Sequence, residues 1–207
     1  MNLVSGCVAL VLAFNGQYVY ASVAICAAAV FDFLDGAVAR AIGAYSAIGA
    51  ELDSLSDLVS FGVAPALMVY CQLPAPYNLA AVAIPVCGAL RLAKFNVDTR
   101  QTSSFIGLPI PANALFWIGA SAFWSQSPHA FNPMVWFIVV IAVALSMLAP
   151  VNLPSLKFHD FKFQGENRVR FFLIILTVAL VALLGVPGLA VTIACYLMIG
   201  AFSTLRK

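Results

Sequence analysis

The sequence predicts an all-α, polytopic transmembrane helical bundle of about eight passes, with both termini cytoplasmic. Three observations carry that expectation. Hydrophobic residues make up 63% of the chain and charged residues 9%, with a mean hydropathy of +1.02, whereas a soluble domain is nearer half apolar and a quarter charged. Turn-forming residues break the apolar sequence at intervals suited to membrane passes. The basic residues also segregate to one side once the passes are laid out in order.

The first pass is Asn2 to Phe14, closed by Asn15-Gly16, and the second runs from Gln17 to about Ile42. The third spans Gly49 to Cys71 and ends at Leu73-Pro-Ala-Pro76; the fourth is Tyr77 to Ala93. Pro109 to Ser125, Pro133 to Leu148, Val169 to Leu184 and Pro187 to Thr204 complete the eight, the last two close enough to form a hairpin or a broken helix. With eight crossings, Arg40, Arg91, Lys94, Arg100, Lys157, Lys162, Arg168, Arg170, Arg206 and Lys207 all fall on one side. The opposite loops carry no Asp, Glu, Lys or Arg. Positive loops stay in the cytoplasm, so both termini are assigned there; seven passes would spoil the separation.

Too little polar sequence remains for a separate soluble domain, so residues 1–207 are read as one integral-membrane domain. A prokaryotic cell (inner) membrane is expected, with no nucleic-acid partner. No cleavable signal peptide is expected, because residues 1–14 lack a basic leader. No internal repeat is evident, which argues against many transporter architectures.

Function concentrates between Asp32 and Asp57. Five of the eight acidic residues lie in this window (Asp32, Asp35, Glu51, Asp53 and Asp57), joined by one basic residue, Arg40. Asp32 and Asp35 are three apart and Asp53 and Asp57 four apart, so on helices each pair shares a face. The short Ala41 to Ile48 connection then folds the two pairs together. Two carboxylates ~5 Å apart repel by roughly 3 kcal/mol at an effective dielectric of ~20. One arginine cannot offset four of them, so either some are protonated or divalent cations lie between them. All-oxygen ligands suit Mg²⁺ or Mn²⁺ first and Ca²⁺ second, and a two-metal site is expected.

The string Asp32-x2-Asp35-Gly36-x2-Ala39-Arg40-x8-Gly49-x3-Asp53-x3-Asp57 resembles the signature of the CDP-alcohol phosphotransferase family. Three further stretches resemble its phosphatidylserine synthase branch: residues 57–66, Arg91-Leu-Ala-Lys-Phe-Asn96 and Phe105-Ile-Gly-Leu-Pro-Ile-Pro-Ala112. The resemblance fades after about Pro150. It implies transfer of the phosphatidyl group from CDP-diacylglycerol to L-serine, with phosphatidylserine and CMP as products. It also implies a homodimer among membrane lipids, with the active site facing the cytoplasm. Family members carry more chain ahead of the first pass, which here has about thirteen residues against the ~20 that span a bilayer.

By that resemblance Asp32, Asp35 and Asp53 are metal ligands and Asp57 is the general base. A nearby metal makes an aspartate a weak base, so a purely ligating Asp57 stands beside that role. Gly36, Ala39, Arg40 and Gly49 are candidate nucleotide contacts, with small-residue helix packing as the plainer reading of Gly36, Ala39 and Gly49. Arg91, Lys94 and Asn96 are candidates for the lipid phosphate or the serine carboxylate. Asp98 or Glu51 would take the serine ammonium, with Ser103, Ser104 and Asn113 as weaker polar candidates. The connection from Pro150 to Asn167 and the start of the next pass bring Lys157, Lys162, Arg168 and Arg170 near anionic headgroups.

Other acceptors within the family, glycerol phosphate or an inositol phosphate, would favour a denser basic pocket. A divalent-cation transporter is the reading from a different class, and it needs polar residues toward the far face that are almost missing here. The five cysteines lie in apolar passes without metal-ligand spacing. His129 and His159 have no partner at such spacing, and the Trp and Tyr residues mostly fit an interfacial belt.

Overall fold

The computed structural model describes residues 1–43, 46–97, 104–127, 132–154 and 167–205. Eight helical rods occur among them. They are α1 (Asn2–Phe14), α2 (Tyr18–Ile42), α3 (Ala47–Gln72), α4 (Tyr77–Val97), α5 (Ile110–Gln126), α6 (Pro133–Ser146), α7 (Asn167–Leu184) and α8 (Gly188–Leu205). Of these, α2, α3 and α4 are long and apolar enough to cross a membrane by length and composition, and the remaining helices are shorter. Large apolar side chains such as Val19, Val23, Val30, Val178 and Leu183 face outward, as expected of a bundle solvated by lipid.

Small residues set how closely the first two helices approach. The buried face of α1 is Asn2, Gly6, Ala9 and Ala13, and that of α2 is Ala21, Ile25 and Ala28. Both follow helical spacing, and with mostly small side chains the backbones can pack closely. Continued along α2, the same stripe reaches Asp32 and then Asp35. Gly43 ends α2 in the left-handed conformation (φ +65°), its N–H returning to the Ala39 carbonyl. Ser46 then starts α3, its hydroxyl accepting the Gly49 N–H at 3.0 Å.

One stretch of α3, Leu58–Val63, is wound as a π-helix, for which Pro65 supplies a local reason. Its ring crowds the carbonyl four residues back, that of Phe61, and it offers no N–H to that carbonyl. The bundle supplies the missing donor: Asn113 Nδ2, fully buried on α5, donates to the Phe61 carbonyl at 3.1 Å. Asn113 Oδ1 accepts from Trp117 Nε1 at 2.9 Å. Asn113 is therefore a core residue, and its expected role as a substrate contact is not what the packing shows.

A two-stranded antiparallel ribbon departs from an all-helical chain. β1 (Ser104–Ile106) pairs with β2 (Asn152–Pro154), with Phe105 opposite Leu153. The connections before α5 and after α6 run side by side and satisfy each other's backbone groups there. The last two helices are separate, joined by a tight turn at Gly185, so they are not one broken helix.

Candidate active site

The four signature aspartates come together from two helices, as their spacing predicts. Asp32 and Asp35 on α2 and Asp53 on α3 each offer a carboxylate oxygen, and these oxygens lie within 4.8 Å of one another. Asp35 and Asp53 are exposed, and Asp32 is half-buried. Asp57 lies one turn further along α3, half-buried, not one of the mutually close triplet but with its carboxyl in hydrogen-bond contact with that of Asp32. An asparagine links it to the others: Asn2 Nδ2 donates to Asp57 Oδ1 at 3.0 Å and lies 3.4 Å from Asp32 Oδ1. Among the described residues, no lysine or arginine forms an ion pair with any of the four.

The donor set suits a hard divalent cation. It is all oxygen, it is carried on two helices, and the like charges lie closer than they would without compensation. Asn2 engages one oxygen each of Asp32 and Asp57.

Arg40 folds back along α2, and its Nη1 lies 3.5 Å from where a Cβ at position 36 would be. Gly36 thus keeps space open beside the guanidinium, next to the acids. Gly49 has a local role instead: a Cβ there would crowd Ser46 Oγ at 2.9 Å, disturbing the cap that starts α3. Ala39 is half-buried on the last turns of α2.

The α4 candidates fall into three different settings. Arg91 is half-buried, within electrostatic reach of Asp57 and Tyr196, and its Nε is buried without a hydrogen-bond partner among the described residues. Lys94 is exposed. Asn96 donates to Ser54 Oγ at 3.0 Å, tying the end of α4 to the residue after Asp53. Glu51 is exposed, pointing to no particular ligand. Arg170 is buried and engaged, so it is not held out toward headgroups. Asp98, Ser103, His129, Lys157, His159 and Lys162 lie outside the described residues, as do the side chains of Ser104 and Arg168.

Sequence reasoning missed Asn2 and Ser60. Ser60 is fully buried in the π-helix and donates to Asn2 Oδ1 at 2.7 Å. A signal for it existed: Asp53, Asp57 and Ser60 fall at i, i+4 and i+7, one continuous helix face. Asn2 had no such marker, because its partners are far away in sequence.

Comparison with known proteins fits this arrangement. The family model described as CDP-alcohol phosphatidyltransferase matches residues 1–148, which include all four aspartates, Arg40 and Arg91. The chain belongs to this family. Among its curated relatives is a CDP-diacylglycerol–serine O-phosphatidyltransferase of Methanocaldococcus jannaschii, 34% identical over 208 residues, covering 100% of this chain and 91% of the relative. The enzyme of the same name from Mycobacterium leprae is 35% identical over 209 residues, covering 96% of this chain and 67% of the relative. An archaetidylserine synthase of Methanothermobacter thermautotrophicus is 36% identical over 163 residues, covering 74% of this chain and 66% of the relative. Each is named for a serine product or acceptor, and the family's signature acids are the residues that converge here.

Proposed function

We propose that this chain is an integral-membrane CDP-diacylglycerol–serine O-phosphatidyltransferase: it moves the phosphatidyl group of CDP-diacylglycerol onto the hydroxyl of L-serine and releases CMP. The convergence of Asp32, Asp35 and Asp53 within 4.8 Å, in a chain whose relatives are named for serine transfer, carries this reading. Asp32, Asp35 and Asp53, with Asp57 beside them, would hold Mg²⁺ or Mn²⁺ in a two-metal site. Such ions polarise a diphosphate and neutralise charge developing on the departing CMP.

The protein's own groups do the positioning on which phosphoryl transfer depends. Arg40, with Gly36 and Ala39, receives the nucleotide diphosphate in the space that Gly36 leaves open. Gly49 contributes through the Ser46 cap rather than by contact. Arg91 takes the serine carboxylate: its Nε has no hydrogen-bond partner among the described residues, and its electrostatic reach to Asp57 favours a serine hydroxyl directed toward that carboxylate. Asp57 accepts the hydroxyl proton, or acts as a ligand alone. Lys94 serves the lipid phosphate at the exposed end of α4, and Asn96 holds α4 against α3.

The eight helices are proposed to cross eight times, with both termini and the acids on the cytoplasmic side of a prokaryotic cell membrane. The one-sided distribution of basic residues supports this. A homodimer is proposed from the family resemblance.

The test is CMP release by the purified protein with CDP-diacylglycerol, Mg²⁺ or Mn²⁺, and each alcohol in turn. Release only with serine, abolished by chelation and restored by the metal, is the expected result. Release with glycerol phosphate or an inositol phosphate instead would reassign the acceptor. Metal flux without CMP release would overturn the reading.

A further inference from the structure

We propose that Asn2 is a positioning residue for the acid cluster, oriented by Ser60, so that helix α1 sets the metal affinity of carboxylates borne on α2 and α3. The proposal rests on the metal-site reading above. Asn2 is 2% exposed and Ser60 fully buried, so neither exchanges hydrogen bonds freely with solvent.

The chemistry of the groups fixes the direction of each bond. Ionised carboxylates only accept, so the Asn2 amide must turn its NH₂ toward Asp57 (3.0 Å) and Asp32 (3.4 Å). That leaves Oδ1 as an acceptor, where the Ser60 hydroxyl donates at 2.7 Å. The orientation with Oδ1 toward the acids would set oxygen against oxygen and leave Ser60 without this acceptor. Asn2 therefore links carboxylates from two helices, with both amide hydrogens directed at the site and its oxygen held by a third group.

The surrounding fold holds Ser60 in place. A Cβ at Gly6, one turn along α1 from Asn2, would collide with Ser60 Oγ, so only glycine lets the hydroxyl in. Ser60 belongs to the π-helix, whose Phe61 carbonyl is held by Asn113. A buried polar series thus runs from Trp117 through Asn113 and the π-helix to Ser60, Asn2 and the aspartates. Groups that orient metal ligands in this way typically govern affinity by 10–100-fold.

The experiment measures Mn²⁺ alone binding to the full-length purified protein, by loss of the free Mn²⁺ electron paramagnetic resonance signal, with melting midpoints taken without metal. Asn2→Leu keeps the approximate shape of the side chain, and Ser60 retains the Asn2 backbone carbonyl, 3.2 Å away, as an acceptor. Mn²⁺ affinity is expected to fall by about 10–100-fold in Asn2→Leu and by less in Ser60→Ala. The double variant should bind no more weakly than Asn2→Leu, because Ser60 acts through Asn2. A purely structural role would lower the melting midpoint and leave the Mn²⁺ affinity of the folded protein unchanged, and that result overturns the proposal. Should Asn2→Leu not fold, Ser60→Ala decides, and unchanged affinity there overturns it equally. Wild-type protein that binds no Mn²⁺ defeats the metal-site reading itself, a failure distinct from wild-type binding that Asn2→Leu leaves unaltered.

Discussion

Helix α3 serves two purposes, divided at its π-helix. Before the division, Ala47–Asp57 has Ser56 as its buried residue and turns Asp53 to the outside of the helix, toward the acids of α2. After it, Ala64, Pro65, Ala66, Met68 and Val69 are buried against the other helices. The first half bears the proposed metal ligands on an exposed surface; the second fixes the helix in the bundle. A side chain in the exposed half can therefore be essential for turnover while contributing little to the fold, and the reverse holds beyond the π-helix.

The sharpest test is a substitution in each half. Asp53→Asn keeps the size of an exposed side chain and removes one proposed metal ligand, so CMP release should fall roughly 10³-fold, a loss of several kcal/mol of transition-state stabilisation. The melting midpoint should hold or rise, since one like charge is gone. Near-normal turnover in this variant would remove the functional half of the comparison. Met68→Ala should do the opposite. It empties a fully buried site, which costs roughly 2–5 kcal/mol in equilibrium unfolding, with turnover per folded molecule within about twofold of wild type.

Asn113→Leu probes the boundary between the halves. It leaves the Phe61 carbonyl and Trp117 Nε1 without their buried partners, and stability should drop by about 1–3 kcal/mol. Unchanged stability would mean that the π-helix holds without its side-chain donor. The smallest effect is expected at the start of the exposed half. Ser46→Ala removes the hydroxyl that accepts from Gly49, for about 1 kcal/mol, seen as faster hydrogen exchange in the first turn of α3.

The far end of the bundle shows what the acid end would be without charge. There Trp117, Trp124 and Trp136 surround a cavity of ≈ 10 Å³ with Val69, Gln72, Leu73, Ala120 and Ser121, about enough for one water. Gln72 Nε2 bonds the Ser121 carbonyl and Ser125 Oγ at 3.3 Å each. Among the described residues, that end is packed with aromatic side chains and a few weak polar contacts.

By itself the sequence determined the class of molecule, the limits of most helices to within a few residues, and the convergence of Asp32, Asp35 and Asp53. Those features are local: apolar run length sets a helix, and three- or four-residue spacing sets a shared face. Only the tertiary structure decided that Asn2 reaches two of the acids and that Asn113 belongs to the core. It also decided that Gly49 answers to a helix cap and that two connections pair as a ribbon. Each of these depends on partners tens of residues away or on where a neighbouring side chain is packed, and a pattern read along one chain carries no record of either.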